Sequence, residues 1–143
     1  MTEIEGRASV FWARDLNDDV TAPGAFAASL ARTGPGGVKM LLEHQTARPI
    51  GVWDEVAEDA EGLIVRGRIL DVTPEGRMAA ALARAGALDG LSIGFRAVKA
   101  RSGDGGRLRV LTEVELWEVS LVTFPMLPSA RITRVGGAAA RAA

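Results

Sequence analysis

LSIGFRAVKARSGDGGRLRVLTEVELWEVSLVTF is the sequence of residues Leu91–Phe124, and its pattern predicts a long β-hairpin. Leu91–Lys99 is an apolar-rich run that is typical of a strand. SGDGG at 102–106 is typical of a hairpin turn, because glycine and aspartate tolerate the tight backbone that a turn requires. Leu108–Phe124 alternates as a long return strand, which Pro125 ends because proline cannot donate a ladder hydrogen bond. The segment therefore indicates an antiparallel sheet.

The rest of the chain adds further strands and two helices. Apolar or alternating runs predict four more strands, over residues 3–14, 38–44, 50–56 and 63–70. A short helix is predicted over 23–30. A second helix follows Thr73, which suits an N-cap, and Pro74, which suits the first helical position, and it ends at Gly86. We expect its apolar stripe to consist of Met78, Ala81, Leu82 and Ala85.

These elements predict one domain of the α+β class that is mostly β. About six strands with hairpin-like connections and two or more helices favour a small, largely antiparallel β-barrel with the helices packed outside. The chain has 143 residues, of which 48% are hydrophobic, and this suits a single domain with its own core. We expect that domain to span residues 1–135, and the Gly/Ala/Arg tail at 136–143 to be disordered or a remnant of processing.

The composition disfavours several classes of function. Seventeen basic and 18 acidic residues give a net charge of −1, so there is no basic excess to hold a nucleic acid. Cysteine is absent and there is one histidine, so we expect no disulfide, no metal site and no cofactor. No apolar run reaches the roughly 18 residues of a membrane span, and the N-terminus lacks the features of a signal peptide. We therefore expect a cytosolic protein without a membrane partner.

Two polar side chains fall on apolar faces of predicted strands. Alternation along Val38–His44 places His44 on the apolar face, and histidine is the most frequent general base. Alternation along the return strand also turns Glu118 inward, where a carboxylate needs a cation or strong donors. The residues alone leave two interpretations open. In the first, His44 is a half-buried histidine whose hydrogen bonds are satisfied, and Glu118 pairs with an arginine such as Arg96. In the second, Glu118 orients His44 for catalysis.

Ser92 follows a glycine at the start of an apolar strand. It is interpreted either as a small residue where the backbone passes closely or as a nucleophile. The sequence GLSIG at 90–94 also matches the G-x-S-x-G elbow of α/β-hydrolases. We reject that match because an elbow serine precedes a helix, whereas a strand is predicted here, and because His44 comes before Ser92.

Three segments, in this order, carry a family resemblance: LLEHQTARPIG at 41–51, GALDGLSIGF at 86–95 and EVELWEVSLVTFP at 113–125, with Ala130 shortly after. Together they resemble the tailed-phage prohead protease family, whose fold is similar to that of the herpesvirus assembly proteases. Each motif alone is weak, whereas the three in order are fairly specific. The resemblance extends over about residues 3–132.

The resemblance implies a serine endopeptidase with Ser92 as the nucleophile and His44 as the general base. Herpesvirus assembly proteases use a second histidine as the third member of the site, and this chain has none. An acidic residue must replace it if a third member exists. Glu118 is favoured over Asp89 and Glu43, because Glu118 lies in the corresponding strand and alternation turns it inward.

The resemblance also places the oxyanion donors just past the third segment. We therefore expect a backbone donor in the loop Thr123–Met126, and we expect Gly94 to let the substrate backbone approach. Both Thr123 and Met126 are candidate substrate-binding residues.

The implied role is head maturation of a phage or phage-like particle. The expected substrates are a scaffold protein, the N-terminal arm of the major capsid protein and the protease itself, inside the assembling prohead in the bacterial cytoplasm. The oligomeric state is open between a monomer, a homodimer like the herpesvirus relatives, and an enzyme active only when concentrated in a prohead. Two alternatives are a non-catalytic capsid-assembly module of the same fold and a metal-dependent hydrolase.

Overall fold

The computed structural model describes residues 1–136 and the backbone of 138–139. Its strands are β1 (Thr2–Val10), β2 (Asp19–Thr21), β3 (Lys39–Leu42), β4 (Gln45–Glu58), β5 (Gly62–Ile69), β6 (Gly90–Gly103), β7 (Leu108–Val122), β8 (Arg131–Val135) and β9 (Ala138–Ala139). Its α-helices are α1 (Ala27–Thr33) and α2 (Pro74–Ala85). Short 3₁₀ helices lie at Pro35–Gly37 and Asp104–Gly106.

Seven of the strands close into a barrel. They follow the order β1-β5-β4-β3-β7-β6-β8, and β8 pairs back onto β1. Every neighbouring pair in this ring is antiparallel except β3 with β7. Closure leaves no free sheet edge in the ring, which protects the strands from pairing with other chains. The prediction of a mostly β, largely antiparallel barrel is confirmed, although the sequence pattern missed β2, β8 and β9.

The β6–β7 hairpin forms as predicted. Its register runs from Gly90 opposite Val122 to Gly103 opposite Leu108, and the turn lies at Asp104–Gly106. Glu118 is buried as predicted, but strict alternation along β7 is wrong, because the register with β6 shifts between Leu116 and Glu118, and Val119 and Leu121 are buried as well. β7 pairs with β6 on one side and with β3 on the other. This strand therefore brings three distant parts of the sequence together.

Helix α1 begins later than predicted. The predicted start at Pro23 is a turn, and helical residues begin only at Ala27. The reason lies in Glu58, whose carboxylate accepts hydrogen bonds from the backbone N–H groups of Gly24 (2.6 Å) and Phe26 (3.0 Å). These bonds hold the preceding turn and place the fully buried Phe26 in the core.

Helix α2 has the predicted ends but buries the opposite face. Thr73 Oγ1 accepts a hydrogen bond from the backbone N–H of Gly76 at 3.0 Å, and Gly86 ends the helix in the left-handed region. The predicted stripe is wrong, because Met78 and Leu82 are exposed. The helix instead buries its small residues, Gly76, Ala79, Ala80 and Ala83. A Cβ at Gly76 would lie 1.8 Å from the carbonyl oxygen of Leu70, so close approach to the sheet selects the small face.

The predicted domain limit at residue 135 and the tail fall at the end of the described chain. Ala138–Ala139 pair with β8 as β9. Residues 137 and 140–143 lie outside the described residues, so the prediction of a disordered tail stays a prediction.

The Thr73 cap gives a test of this local structure. Thr73→Ala removes the acceptor for the Gly76 N–H, so we expect the free energy of unfolding to fall by about 1 kcal/mol. Thr73→Ser keeps the hydroxyl and should remain within a few tenths of a kcal/mol of the starting protein. Urea denaturation followed by circular dichroism measures both. Equal losses in the two variants would contradict the capping role.

Candidate active site

His44 lies in a two-residue turn and not on a strand. β3 ends at Leu42, which pairs with Gln45 across the turn, so Glu43 and His44 form the loop between β3 and β4. Their φ angles are 53° and 60°, as in the type I′ turns that join tight hairpins. The prediction that His44 continues the apolar face of a strand over 38–44 is therefore wrong. The turn reverses the chain, and strand alternation does not apply to it.

The turn directs the imidazole of His44 onto β7. Its Nδ1 makes a hydrogen bond with Oε2 of Glu118, whose side chain is 11% exposed. The second carboxylate oxygen, Oε1, accepts a hydrogen bond from the hydroxyl of Ser120 at 2.7 Å. The same hydroxyl accepts a hydrogen bond from the backbone N–H of His44 at 3.0 Å. Glu118 and the turn are thus held by a common set of contacts.

The surroundings of His44 raise its pKa above the usual value near 6.5. The largest cause is the hydrogen bond with Glu118, and the negative charges of Glu118 and Glu43 act in the same direction, whereas burial opposes them. Because Nδ1 is bound to Glu118, Nε2 is the ring nitrogen left for proton transfer. Within the described residues Nε2 has no hydrogen-bond partner.

Ser92 lies on β6, directly opposite Ser120 of β7. The residue is 5% exposed, and among the described residues its hydroxyl makes no hydrogen bond. Ser92 and His44 line the same cavity, whose volume is about 130 Å³. Within the described residues no hydrogen bond joins the two side chains. The cavity has apolar walls and a polar rim, formed by residues that include Ile93, Phe95, Leu127, Asp15 and Asn17. A hydroxyl and an imidazole facing one cavity can serve as nucleophile and base, and such contacts often tighten only when substrate binds.

The other carboxylates considered from the sequence have different partners. Asp89 binds Arg131 at 2.9 Å, and Arg96 binds Glu115 at 2.8 Å. The interpretation of Glu118 as the ion-pair partner of Arg96 is therefore wrong. Of the acidic residues considered, Glu118 is the one that contacts the imidazole.

Thr123 and Gly94 have surroundings that differ from the expected ones. The backbone N–H and the hydroxyl of Thr123 both donate to Oε1 of Glu43, at 2.6 and 3.0 Å, so this N–H is already engaged. A Cβ at Gly94 would lie 2.3 Å from Oε2 of Glu118. Gly94 therefore makes room for the carboxylate, and its expected role in admitting the substrate backbone stays a prediction. Met126 does line the cavity, and its carbonyl accepts a hydrogen bond from the N–H of Leu16 at 2.9 Å.

Ser120 is the residue of this site that the sequence reasoning missed. Alternation did place it on the same face as Glu118, yet a serine in a strand carries no sequence signal of what its hydroxyl binds. Within the described residues, no group of three or more His, Cys, Asp or Glu side chains is placed to hold a metal ion, and no helix is long and apolar enough to cross a membrane.

Comparison with known proteins places the chain in a family. The model of the family described as caudovirus prohead serine protease matches residues 1–141. The chain belongs to this family. The prohead protease of Enterobacteria phage HK97 is 39% identical over 127 residues, which are 85% of this chain and 55% of that protein. The chain thus spans little more than half the length of this family member.

Solved structures share the fold at low sequence identity. The capsid assembly protease of bacteriophage T4 matches with a TM-score of 0.64 and 17% identity, over 84% of this chain and 80% of that one. The Kaposi's sarcoma-associated herpesvirus protease, in complex with a hexapeptide phosphonate inhibitor, matches with a TM-score of 0.61 and 13% identity, over 94% and 64%. The expected likeness to herpesvirus assembly proteases is confirmed for the fold.

The His44–Glu118 contact predicts a measurable titration. The chain has one histidine, so its imidazole resonance is unambiguous in an NMR titration. We expect a midpoint above 6.5 that falls toward or below this value in Glu118→Gln, because the carboxylate charge favours the protonated ring. Since the folded-state pKa is the raised one, the contact stabilises the fold at low pH, and this contribution is lost as the pH rises through that pKa. An unchanged midpoint in Glu118→Gln would contradict the assignment.

Proposed function

We propose that this chain is a serine endopeptidase of the Ser-His-Glu type. The observation that carries the proposal is the position of His44, which binds Glu118 through Nδ1 and lines the cavity that contains Ser92. The arrangement supports a catalytic triad, in which an acid orients the base and the base lies across the cavity from the nucleophile. Membership of the prohead serine protease family supports the reaction class.

The chemistry assigns one task to each side chain. Ser92 Oγ attacks the carbonyl carbon of a peptide bond, and Nε2 of His44 takes the hydroxyl proton. The same nitrogen then gives this proton to the leaving amine as the C–N bond breaks. In the second half of the reaction, Nε2 takes a proton from water while the water oxygen attacks the acyl carbon. Nε2 then returns the proton to Ser92 Oγ as the ester bond breaks, which regenerates the Ser92 hydroxyl. Glu118 holds the imidazole in one tautomer and stabilises its protonated form.

The oxyanion requires backbone donors that are free when substrate arrives. We assign one of these to the N–H of Met126, which has no partner within the described residues and belongs to a residue that lines the cavity. The bond from Leu16 N–H to the Met126 carbonyl fixes the loop that carries this donor. Thr123 is the weaker candidate, because Glu43 occupies its N–H.

The proposed substrates are proteins of head assembly. HK97, whose prohead protease is the 39% identical relative, and T4, whose capsid assembly protease shares the fold, are both phages. We assign to this chain the cleavage of a scaffold protein, of the N-terminal arm of the major capsid protein and of itself, inside the prohead in the bacterial cytoplasm. A homodimer is part of the same proposal, and native mass spectrometry distinguishes it from a monomer.

Co-expression with the neighbouring capsid and scaffold genes tests the proposal. Wild type should remove an N-terminal capsid segment or degrade the scaffold, whereas Ser92→Ala should lower cleavage by at least about 10³-fold and leave the fold intact. Intact-mass analysis gives the products and the cleavage site. Ser102→Ala, an exposed serine on the same strand, is the matched control and should cleave like wild type.

Two results would contradict the proposal. Equal cleavage by Ser92→Ala and wild type would exclude Ser92 as the nucleophile. Identical, uncleaved masses in all three co-expressions would favour a non-catalytic capsid-assembly module of the same fold.

A further inference from the structure

The hydroxyl of Ser120 connects the two other groups that hold the base. Ser120 is fully buried on β7. Its oxygen accepts the backbone N–H of His44 at 3.0 Å and lies 2.7 Å from Oε1 of Glu118. A backbone N–H can only donate, and an ionised carboxylate can only accept, so the single hydroxyl proton points to Glu118. The direction of both hydrogen bonds is therefore determined.

These bonds complete a closed ring of contacts. The ring runs from the backbone N–H of His44 to Ser120, on to Glu118, and back to Nδ1 of His44. His44 is thus held at its backbone and at its ring by the same neighbouring pair. Ser120 Oγ occupies one carboxylate oxygen of Glu118, which leaves Oε2 to the imidazole.

The turn needs such external support because of its backbone conformation. Glu43 and His44 are both non-glycine residues with positive φ, a region that is disfavoured for residues with a Cβ. One anchor is the Glu43 N–H, which donates to the carbonyl of Leu121 at 2.9 Å. Thr123 holds the Glu43 carboxylate as well, but it is the His44 N–H on Ser120 that reaches the residue carrying the imidazole.

We propose that Ser120 is a positioning residue that sets the orientation and basicity of His44 through Glu118 and the backbone of the turn. The effect on the orientation and basicity of His44 in the free protein follows from these contacts. The effect on catalysis rests on the proposed protease function. Ser120 touches no reacting atom in this scheme. Its removal leaves the His44 N–H without its partner and lets the carboxylate of Glu118 rotate away from the ring.

A purely structural role is the alternative, and the chain supplies a matched control for it. Ser29 is also fully buried, and its hydroxyl accepts the backbone N–H of Leu116 on the same strand β7 at 2.9 Å. Among the described residues, this hydroxyl bonds to the backbone of β7 and not to Glu118 or His44. Ser29→Ala removes a buried hydroxyl and one bond to β7 without touching the site. Ser120→Ala also removes a buried hydroxyl, together with its two hydrogen bonds inside the site.

The first measurement is the NMR titration of the single histidine in Ser120→Ala and Ser29→Ala, both in a Ser92→Ala background that prevents self-cleavage. The charged or titratable groups near the imidazole are Glu118 on β7 and Glu43 in its own turn, with Asp15 and Asp19 also lining the cavity. All four are retained in both variants. We expect the midpoint to fall toward 6.5 in Ser120→Ala and to stay at its starting value in Ser29→Ala.

The second measurement is the pH profile of kcat/KM on a peptide that spans the cleavage site, with Ser92 intact. Ser120→Ala should lower kcat by about 10- to 100-fold, which matches the loss of one hydrogen bond to a charged group, with little change in KM. Its ascending limb should move to lower pH, because the base must be neutral. Ser120→Thr keeps the hydroxyl and should recover much of both values.

The outcomes separate this inference from the proposed function. A midpoint and pH profile unchanged in folded Ser120→Ala, or an equal shift in Ser29→Ala, would overturn the role of Ser120. If Ser120→Ala does not fold by circular dichroism, Ser120→Cys, which keeps the size with a weaker donor, replaces it under the same criteria. A shifted midpoint in a chain that cleaves nothing would support the positioning role while the protease proposal fails.

Discussion

The carboxylate of Glu118 lies in the middle of a strand that is hydrogen-bonded on both sides, and the site depends on how its charge is stabilised there. Burial of a carboxylate without partners costs several kcal/mol. Here the stabilising groups are the hydroxyl of Ser120 and the imidazole of His44. Gly94 on β6 provides the space, because any side chain at that position would collide with the carboxylate. The imidazole of His44 is thus held at one defined place beside β7.

The topology of the barrel makes this meeting possible. β7 lies between β3 and β6. β3 ends at the turn that contains His44, and β6 carries Ser92. The parallel pairing of β3 with β7, the one exception in an otherwise antiparallel ring, delivers the β3–β4 turn to the face that presents Glu118 and Ser120. His44 and Ser92, which are far apart in sequence, therefore line one cavity.

Several of these features could be predicted from the sequence because they depend on local patterns. Local capping chemistry gave both ends of α2, and period-two alternation predicted a buried Glu118, although Val119 and Leu121 of the other predicted face are buried too. The position of His44 could not be obtained in this way, since a strand ended by a two-residue turn has the same apolar run as a strand two residues longer. The prediction of the buried face of α2 was wrong because side-chain size, and not hydrophobicity, determines which face packs. The small face of the helix approaches the sheet more closely than a face with Met78 and Leu82 could. Partners of single hydroxyls and carboxylates, such as Ser120 and Glu43, depend on tertiary contacts and leave no trace in the pattern.

Activation of the Ser92 hydroxyl by His44 can be tested without knowledge of any substrate, with a reagent that reacts with nucleophilic serines. Incubation of the wild-type chain with diisopropyl fluorophosphate, at a pH above the His44 midpoint, is followed by intact mass and peptide mapping. We expect a single adduct on the peptide that contains Ser92, and a large loss of that adduct in His44→Ala. No adduct under these conditions, or an adduct on another serine, would contradict it.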